Sequence, residues 1–446
     1  MLDMRAVRER TEEVRQNLRN RNMAVDVDAL LHADEQARKM KSQLDQVRQD
    51  RNKNGQAFAK AQKEVGLTYD QLVARSAQGD VLTPFDRQLL AGWRQQFVEP
   101  GRTLKESEDA CTTKVEQAEA QRDALLAQLP NFTHPDAPVG VDESANRVLA
   151  ERGAKPALSF PPQDHVQLME RLDLVDFEGG AKVAGQKFYY LKNDAVLLEL
   201  ALVQFAVNLL REEGFTPFIT PDLARQDILR GTGFNPRGES TQIYSIQDSD
   251  LSLVATAEIT LAGLLAGEII EAERLPLLYA GVSHCFRTEA GSAGRESRGL
   301  YRVHQFTKVE MFAFCVPEQS EALHQRLLAI EERIFQRLEI PYRVVDICTG
   351  DLGAPAYRKY DLEAWMPGRG QWGEVTSTSN CTDYQARRLN IRFRAKGQKG
   401  TQFLHMLNGT AIAVSRAIIA LVENGQHADG SIHLPACLGL ADIRPR

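Results

Sequence analysis

From Ala37 onward, Met40, Leu44, Val47, Arg51, Asn54, Phe58, Ala61 and Val65 advance by alternating threes and fours, the heptad spacing that lays one seam along a helix. At about 1.5 Å per residue the regular stretch alone reaches roughly 40 Å, too far to fold back into a compact core, so the spacing predicts an arm. A second run, Leu104, Cys111, Val115, Ala118, Arg122, Leu125 and Leu129, offers a complementary stripe. Each stripe can bury the other in an antiparallel helical hairpin. Between them, residues 66–92 hold Gly66, Gly79, Asp80 and Thr83-Pro84, turn-prone or helix-ending signals, and Pro100-Gly101 predicts a break or kink near the start of the second helix. Arg38, Lys39, Lys41, Arg48, Arg51, Lys53, Lys60 and Lys63 make the first helix basic, with acids interspersed. Such a helix reads either as a solvated coiled-coil face or as a grip on RNA phosphates.

A chain of 446 residues is too long for one ordinary domain. Residues 130–144, PNFTHPDAPVGVDES, with three prolines, read as an extended linker, which divides the chain into 1–130, a connector at 131–145 and 146–446. Lys and Arg total 54 against 60 Asp and Glu, so the net charge of −6 gives no global nucleic-acid signature, and any RNA contact has to be local. The six cysteines are widely spaced without a CxxC pair, which speaks against a zinc ribbon or disulfide scaffold and for reduced thiols. With no apolar signal core and no run of about 18 apolar residues, a soluble intracellular protein is expected. After the connector, short strand candidates such as PYRVVDI at 341–347 alternate with amphipathic helices, which predicts an antiparallel sheet flanked by helices.

The densest chemistry lies at 285–312, CFRTEAGSAGRESRGLYRVHQFTKVEMF. Gly291, Ser292, Ala293 and Gly294 allow close backbone approach, and Arg287, Arg295, Arg298 and Arg302 offer planar forks for carboxylates or phosphates beside Glu289 and Glu310. A salt-bridged, solvated hairpin is the plain alternative. At 254–258, VATAE supplies Thr256 and Glu258, which fit a helix N-cap and first-turn acid as well as a polar pocket. Glu374 lies in GEVTSTSNCTDYQARRLNIRFR, where a lone strand acid is ordinarily a cross-strand partner. In HMLNGTAIAVSRAIIALVENGQ, Arg416 is the single cation of an apolar helix and requires an anion, because burying an unpaired guanidinium is expensive.

Taken together, the 285–312 string resembles motif 2 of the class II aminoacyl-tRNA synthetases in the form found in the seryl-tRNA synthetases. The helix near 194–213 with FTPFITPDL, carrying Pro221, resembles motif 1, the dimer interface. The HMLNGT string resembles motif 3, VATAE the serine-pocket loop, and MLDMRAVRERTEEVRQNLRNR the start of the family's tRNA-binding arm. The resemblance covers essentially the whole chain. It implies an α+β fold, the class II antiparallel sheet flanked by helices, plus an N-terminal antiparallel coiled-coil arm that binds the long variable arm of serine tRNA. Serine would be activated with ATP to seryl-adenylate and passed to the 3′ end of serine tRNA, and of selenocysteine tRNA.

On matching positions the resemblance implies that Arg287 holds the serine carboxylate and α-phosphate. Glu289 would contact the adenine amino group, and Phe306 would stack on the ring, with Val303 in the ATP set. Glu374 would bind Mg2+ near the phosphates beside Ser377, and Arg416 would meet the γ-phosphate. Glu310 and Thr410 would bind the serine hydroxyl, with Thr256 and Glu258 near the amino group and Asn408 alongside. Arg38, Lys41, Arg48, Arg51 and Lys53 would touch tRNA. A cytoplasmic homodimer without structural zinc, membrane or DNA partner is expected. Ser415 stands where the family often has glycine, and the tip at 66–92 looks longer than usual. Two other readings remain: a serine-adenylating paralogue serving a carrier protein, whose known members lack the arm and use zinc, and a silent tRNA-binding protein, which loss of Arg287, Glu374 or Arg416 would have favoured.

Overall fold

The computed structural model describes residues 1–234, 242–289 and 299–445, in two compact units. The smaller comprises Asp3–Thr11 and Val25–Leu129. Its spine is the helix Val27–Val65, opened by Asp26, whose side chain accepts from the Ala29 amide at 2.9 Å, and closed by Gly66 in the left-handed conformation with φ of 73°. The helix Glu99–Leu126 runs antiparallel to it: Arg48 and Arg51 both pair with Glu108, while Asn54 reaches back to the Phe97 carbonyl at 2.9 Å. Leu44 and Val115 are buried in the seam, as the spacing predicts. Arg51 and Val65 are exposed, the first because its charge is satisfied across the hairpin at the surface.

The tip is more regular than its turn signals suggest. Helices Tyr69–Ala77 and Pro84–Trp93 each begin with a reciprocal capping box, Thr68 with Gln71 and Thr83 with Asp86. Thr83-Pro84 therefore starts a helix, because a threonine cap followed by proline at the first helical position suits an N-terminus. Phe58 stacks on Phe97 at 5.1 Å and meets Tyr69 and Trp93 edge-on, forming with buried Leu72 a small satellite core. Before Pro100 the chain passes through a π-helical turn at Arg94–Val98, the local widening expected where a missing amide interrupts the helical ladder.

The larger unit comprises Met1–Leu2, Glu12–Ala24 and Pro130–Arg446. Its frame is an eight-stranded sheet of β1 (Arg147–Arg152), β2 (Thr216–Ile219), β3 (Leu277–Phe286), β4 (Gln305–Cys315), β5 (Tyr342–Asp346), β6 (Arg358–Met366), β7 (Gln371–Asn380) and β8 (His405–Ala413). The spatial order is β1-β5-β6-β7-β8-β4-β3-β2, antiparallel throughout except for the parallel β2 and β3 pair. The helices Asp194–Glu212, Ser320–Arg337 and Val414–Asn424 bury their apolar stripes in the core that covers one face. Strand alternation sends Val309, Met311, Ala313 and Cys315 of β4 into that core. Phe312 and Phe314 pack instead with the short helices Ala257–Gly263 and Tyr384–Leu389.

Beside the cavity two β-bulges interrupt that alternation, one in β7 at Val375 and one in β8 at Ala411. Without the first, Glu374 and Ser377 would point to opposite faces; with it, both reach the same cavity. The second lets Asn408, Thr410 and Ala413 share that wall.

Residues Glu12–Ala24 pack within this unit through Arg21, which is 3% exposed. Its guanidinium donates to Thr133 Oγ1 at 2.9 Å and to the carbonyls of Gly353 at 3.2 Å and of Ala356. Burial lowers its pKa to about 10, and carbonyl and hydroxyl oxygens serve as its acceptors. Asn131 holds the same loop, donating to the Pro355 and Cys381 carbonyls at 2.9 Å each. Replacing Arg21 with methionine strands several buried carbonyls, so thermal unfolding of Arg21→Met is expected to show a loss of about 2–3 kcal/mol. An unchanged midpoint would dismiss this anchoring role.

Candidate active site

Over the sheet face away from the main helical core lies a cavity of about 520 Å3. β3 ends by delivering Arg287, and the alternation of β4 presents Phe306, Lys308 and Glu310. β7 contributes Glu374, Ser377 and Ser379, while β8 contributes Asn408 and Thr410. Arg416 enters from the first turn of the helix Val414–Asn424. Thr256 caps the helix Ala257–Gly263, accepting from the Glu258 amide at 3.2 Å, and both residues line the cavity, so the capping role and the pocket role coincide.

One end is polar and enclosed. Glu258 accepts from Gln385 Nε2 at 2.6 Å and Asn408 Nδ2 at 3.1 Å. Burial, then the charge of Glu310, raises its pKa to about 7. Glu310 is paired with Lys308 and lies 3.5 Å from Thr410 Oγ1, its cross-strand neighbour in the register of β4 and β8. Small hydrogen-bonding ligands with an ammonium and a hydroxyl suit this end.

The other end is cationic. Arg416 contacts the Glu374 carboxylate at 3.0 Å and its backbone carbonyl at 3.1 Å, and its guanidinium lies 4.8 Å from the Tyr301 ring centroid. Burial would raise the Glu374 pKa, but Arg416 and Lys359 hold it well below the usual carboxylate range. Lys359 is paired with Asp361 at 2.9 Å. Between the two ends Arg287 sits 5.2 Å from the Phe306 ring centroid, its Nε 3.4 Å from the Ala255 carbonyl.

Ten expected residues thus share one cavity: Thr256, Glu258, Arg287, Phe306, Glu310, Glu374, Ser377, Asn408, Thr410 and Arg416. Glu289 and Val303 are not among its lining residues; Glu289 pairs with Arg302 at 3.3 Å, and Val303 is buried beside a second, smaller cavity. Gly291, Ser292, Ala293, Gly294, Arg295 and Arg298 lie outside the described residues. Sequence reasoning gives no site role to Lys308, or to Lys359, Gln385, Asp351, Gly353 and Ala354, although these five lie within CTGDLGAPAYRKYDLEAWMP at 348–367 and GEVTSTSNCTDYQARRLNIRFR at 373–394, strings that resemble the family. Lys308 had a signal, since strand alternation places it between Phe306 and Glu310. On the hairpin, Arg38 pairs with Asp34 at 3.0 Å, Arg48 and Arg51 engage Glu108, Lys53 lies 3.7 Å from Asp50, and Lys41 is exposed.

An antiparallel sheet with a carboxylate–guanidinium end and an enclosed polar end, all on one face, defines the catalytic core of a class II aminoacyl-tRNA synthetase. The family model described as "tRNA synthetase class II core domain (G, H, P, S and T)" matches residues 243–425, and "Seryl-tRNA synthetase N-terminal domain" matches 1–79. The serine–tRNA ligase of Treponema denticola is 51% identical over 440 residues, 98% of each chain, and that of Rhodopirellula baltica 52% identical over 441, 98% of this chain and 97% of the relative. A crystal structure of the seryl-tRNA synthetase from Pyrococcus horikoshii complexed with ATP superposes with a TM-score of 0.86 at 40% identity, covering 100% of both chains. The chain belongs to the seryl-tRNA synthetase family, class II ligases that activate serine with ATP and attach it to tRNA.

Proposed function

We propose that serine occupies the enclosed end and ATP the cationic end. The carrying observation is the continuity of the two in one cavity, with Arg287 between them. Serine's ammonium meets Glu258 and Thr256 beside Asn408, and its hydroxyl meets Glu310 and Thr410. Arg287 holds the carboxylate and α-phosphate together, so that a carboxylate oxygen attacks the α-phosphorus and pyrophosphate leaves. A ribose hydroxyl of the tRNA 3′ end then attacks the acyl carbon, and AMP leaves. Such displacements depend on alignment and charge stabilisation. Phe306 stacks on adenine, with Glu289 and Val303 completing the nucleotide contacts, and Arg416 takes the γ-phosphate. Glu310 and Thr410, side by side in the enclosed end, are placed to bond the serine hydroxyl, so alanine, lacking it, would leave them without this partner.

Glu374, kept ionised by Arg416 and Lys359, and the Ser377 hydroxyl are hard oxygen donors that fit magnesium shared with substrate phosphates. The ion would neutralise phosphate charge there. Residues 1–130 form the tRNA-binding domain, 131–145 the connector and 146–446 the catalytic domain. Arg38, Lys41, Arg48, Arg51 and Lys53 contact the long variable arm, and selenocysteine tRNA is a further substrate. Because Arg48 and Arg51 also lock the hairpin through Glu108, Lys41 and Lys53 are the cleaner tests of that contact. The apolar side chains Val196 at 41%, Leu197 at 52% and Leu200 at 61% exposure on the helix Asp194–Glu212, with Ile219 at 90% nearby in sequence, support a homodimer joined along this face.

Serine-dependent ATP/pyrophosphate exchange, followed by charging of serine tRNA with and without its variable arm, tests the reading. Exchange together with charging that collapses on deletion of the variable arm is expected. Exchange without charging would indicate the adenylating paralogue, and no exchange a silent binding protein.

A further inference from the structure

In a chain of net charge −6, six cations fall between Tyr384 and Lys399, and no acid occurs from Tyr384 until Glu423. They belong to the helix Tyr384–Leu389 and a small sheet in which Arg392–Arg394 pairs with Gln402–Phe403 and with Ile269–Glu271. Phe393 is buried, so strand alternation sends Arg392 and Arg394 outward together. The guanidiniums of Arg387 and Arg392 lie 4.6 and 4.5 Å from the Phe403 ring centroid. Arg387 is paired with Asp383 and Arg394 with Glu271. Among the described residues Arg392 hydrogen-bonds neutral oxygens, Asn390 Oδ1 at 3.1 Å and Thr401 Oγ1 at 3.4 Å, and Lys396 and Lys399 are exposed at the turn. Local acids therefore offset only part of the positive charge.

This surface is joined to the cavity. The segment leaves the cavity wall at Cys381 and rejoins it at Asn408. The basic helix is fixed from within by Gln385, which donates to Glu258 Oε1 at 2.6 Å and to the Thr232 carbonyl at 2.9 Å. A cavity of about 520 Å3 admits the reacting 3′ nucleotide but not a base-paired stem, so the stem's phosphates have to lie outside on adjoining protein. We propose that the face formed by Arg392, Lys396 and Lys399 binds the sugar-phosphate backbone of the tRNA acceptor stem and steers its 3′ end into the cavity. The proposal rests on the ligase reading and deepens it by giving the catalytic unit an RNA surface of its own. Its contacts are electrostatic and independent of sequence, so they weaken with salt.

The test uses the full chain carrying Lys396→Glu with Lys399→Glu, and the same pair as arginines. Serine-dependent pyrophosphate exchange should stay at the wild-type rate, because neither lysine lines the cavity. The kcat/KM for tRNA should fall by about tenfold or more at low salt, and the logarithmic salt dependence of tRNA binding should become shallower by about 2. The arginine pair should behave as wild type. A short acceptor-stem hairpin RNA should lose affinity for the glutamate variant to the same degree as intact tRNA. Unchanged tRNA kinetics would overturn the proposal, as would an effect confined to intact tRNA. A wild-type chain unable to charge any serine tRNA would instead overturn the ligase reading.

Discussion

Replacing Arg287 with lysine is expected to lower kcat/KM for serine-dependent pyrophosphate exchange on the order of 10²–10³-fold while leaving the unfolding midpoint in place. Arginine presents a rigid planar fork, and here one edge is committed to the Ala255 carbonyl, which aims the remaining nitrogens between the two ends of the cavity. Lysine carries the same charge at a single point and can meet the carboxylate or the phosphate but not both in line. The loss should appear in kcat as well as KM, because alignment of the two anions is needed most as the bond between them forms. A loss below about tenfold would remove Arg287 from this role.

The second large effect concerns Glu258 and has a definite sign. Burial and the neighbouring Glu310 keep its proton on until about pH 7 in the free enzyme. Serine's ammonium requires the carboxylate, so 1/KM for serine should rise with pH up to about 7 and then level off. Glu258→Gln should flatten that profile and raise the serine KM on the order of 10²-fold, since one partner of a buried charged pair is lost. Initial rates at varied serine across the neutral range read both outcomes. Folding is linked to the same proton in the opposite sense. The unfolded carboxyl ionises near its ordinary value and the folded one near 7, so the native state binds more protons in between and stability declines as pH rises through that window. The glutamine variant should lose that slope.

Much of this is legible in the sequence itself. The seam from Met40 to Val65 is a spacing, and spacing survives in a sequence. So do the residue types at Arg287, Glu374 and Arg416, whose chemistry within apolar surroundings calls for partners. What was not legible is how β7 and β8 present their side chains. Val375 and Ala411 bear no mark of a bulge, yet each resets the facing of the residues around it. Lys359 and Asp361 share a face by strand alternation, but Glu374 reaches them only through the pairing of β6 with β7. Gln385 looked like one polar residue in a basic helix, and only tertiary packing turns it toward Glu258. At the tip, Thr83-Pro84 reads as a turn-prone or helix-ending signal by residue type alone, although the same dipeptide opens a helix when an acid follows at Asp86 to complete the cap.

The two bulges also divide the chain into places where length is negotiable and places where it is not. Deleting one residue past the bulge, at Thr378, would turn Ser379 toward the apolar side and Asn380 toward the cavity, so a single-codon loss there inverts the end of a wall rather than trimming it. Between the arm helices, by contrast, the tip is closed by its own capping boxes and its own small aromatic core, so added or removed turns leave the register of β7 and β8 untouched. Diverging descendants of this chain should accumulate their insertions at the tip and keep the count of residues from Glu374 to Arg416 fixed.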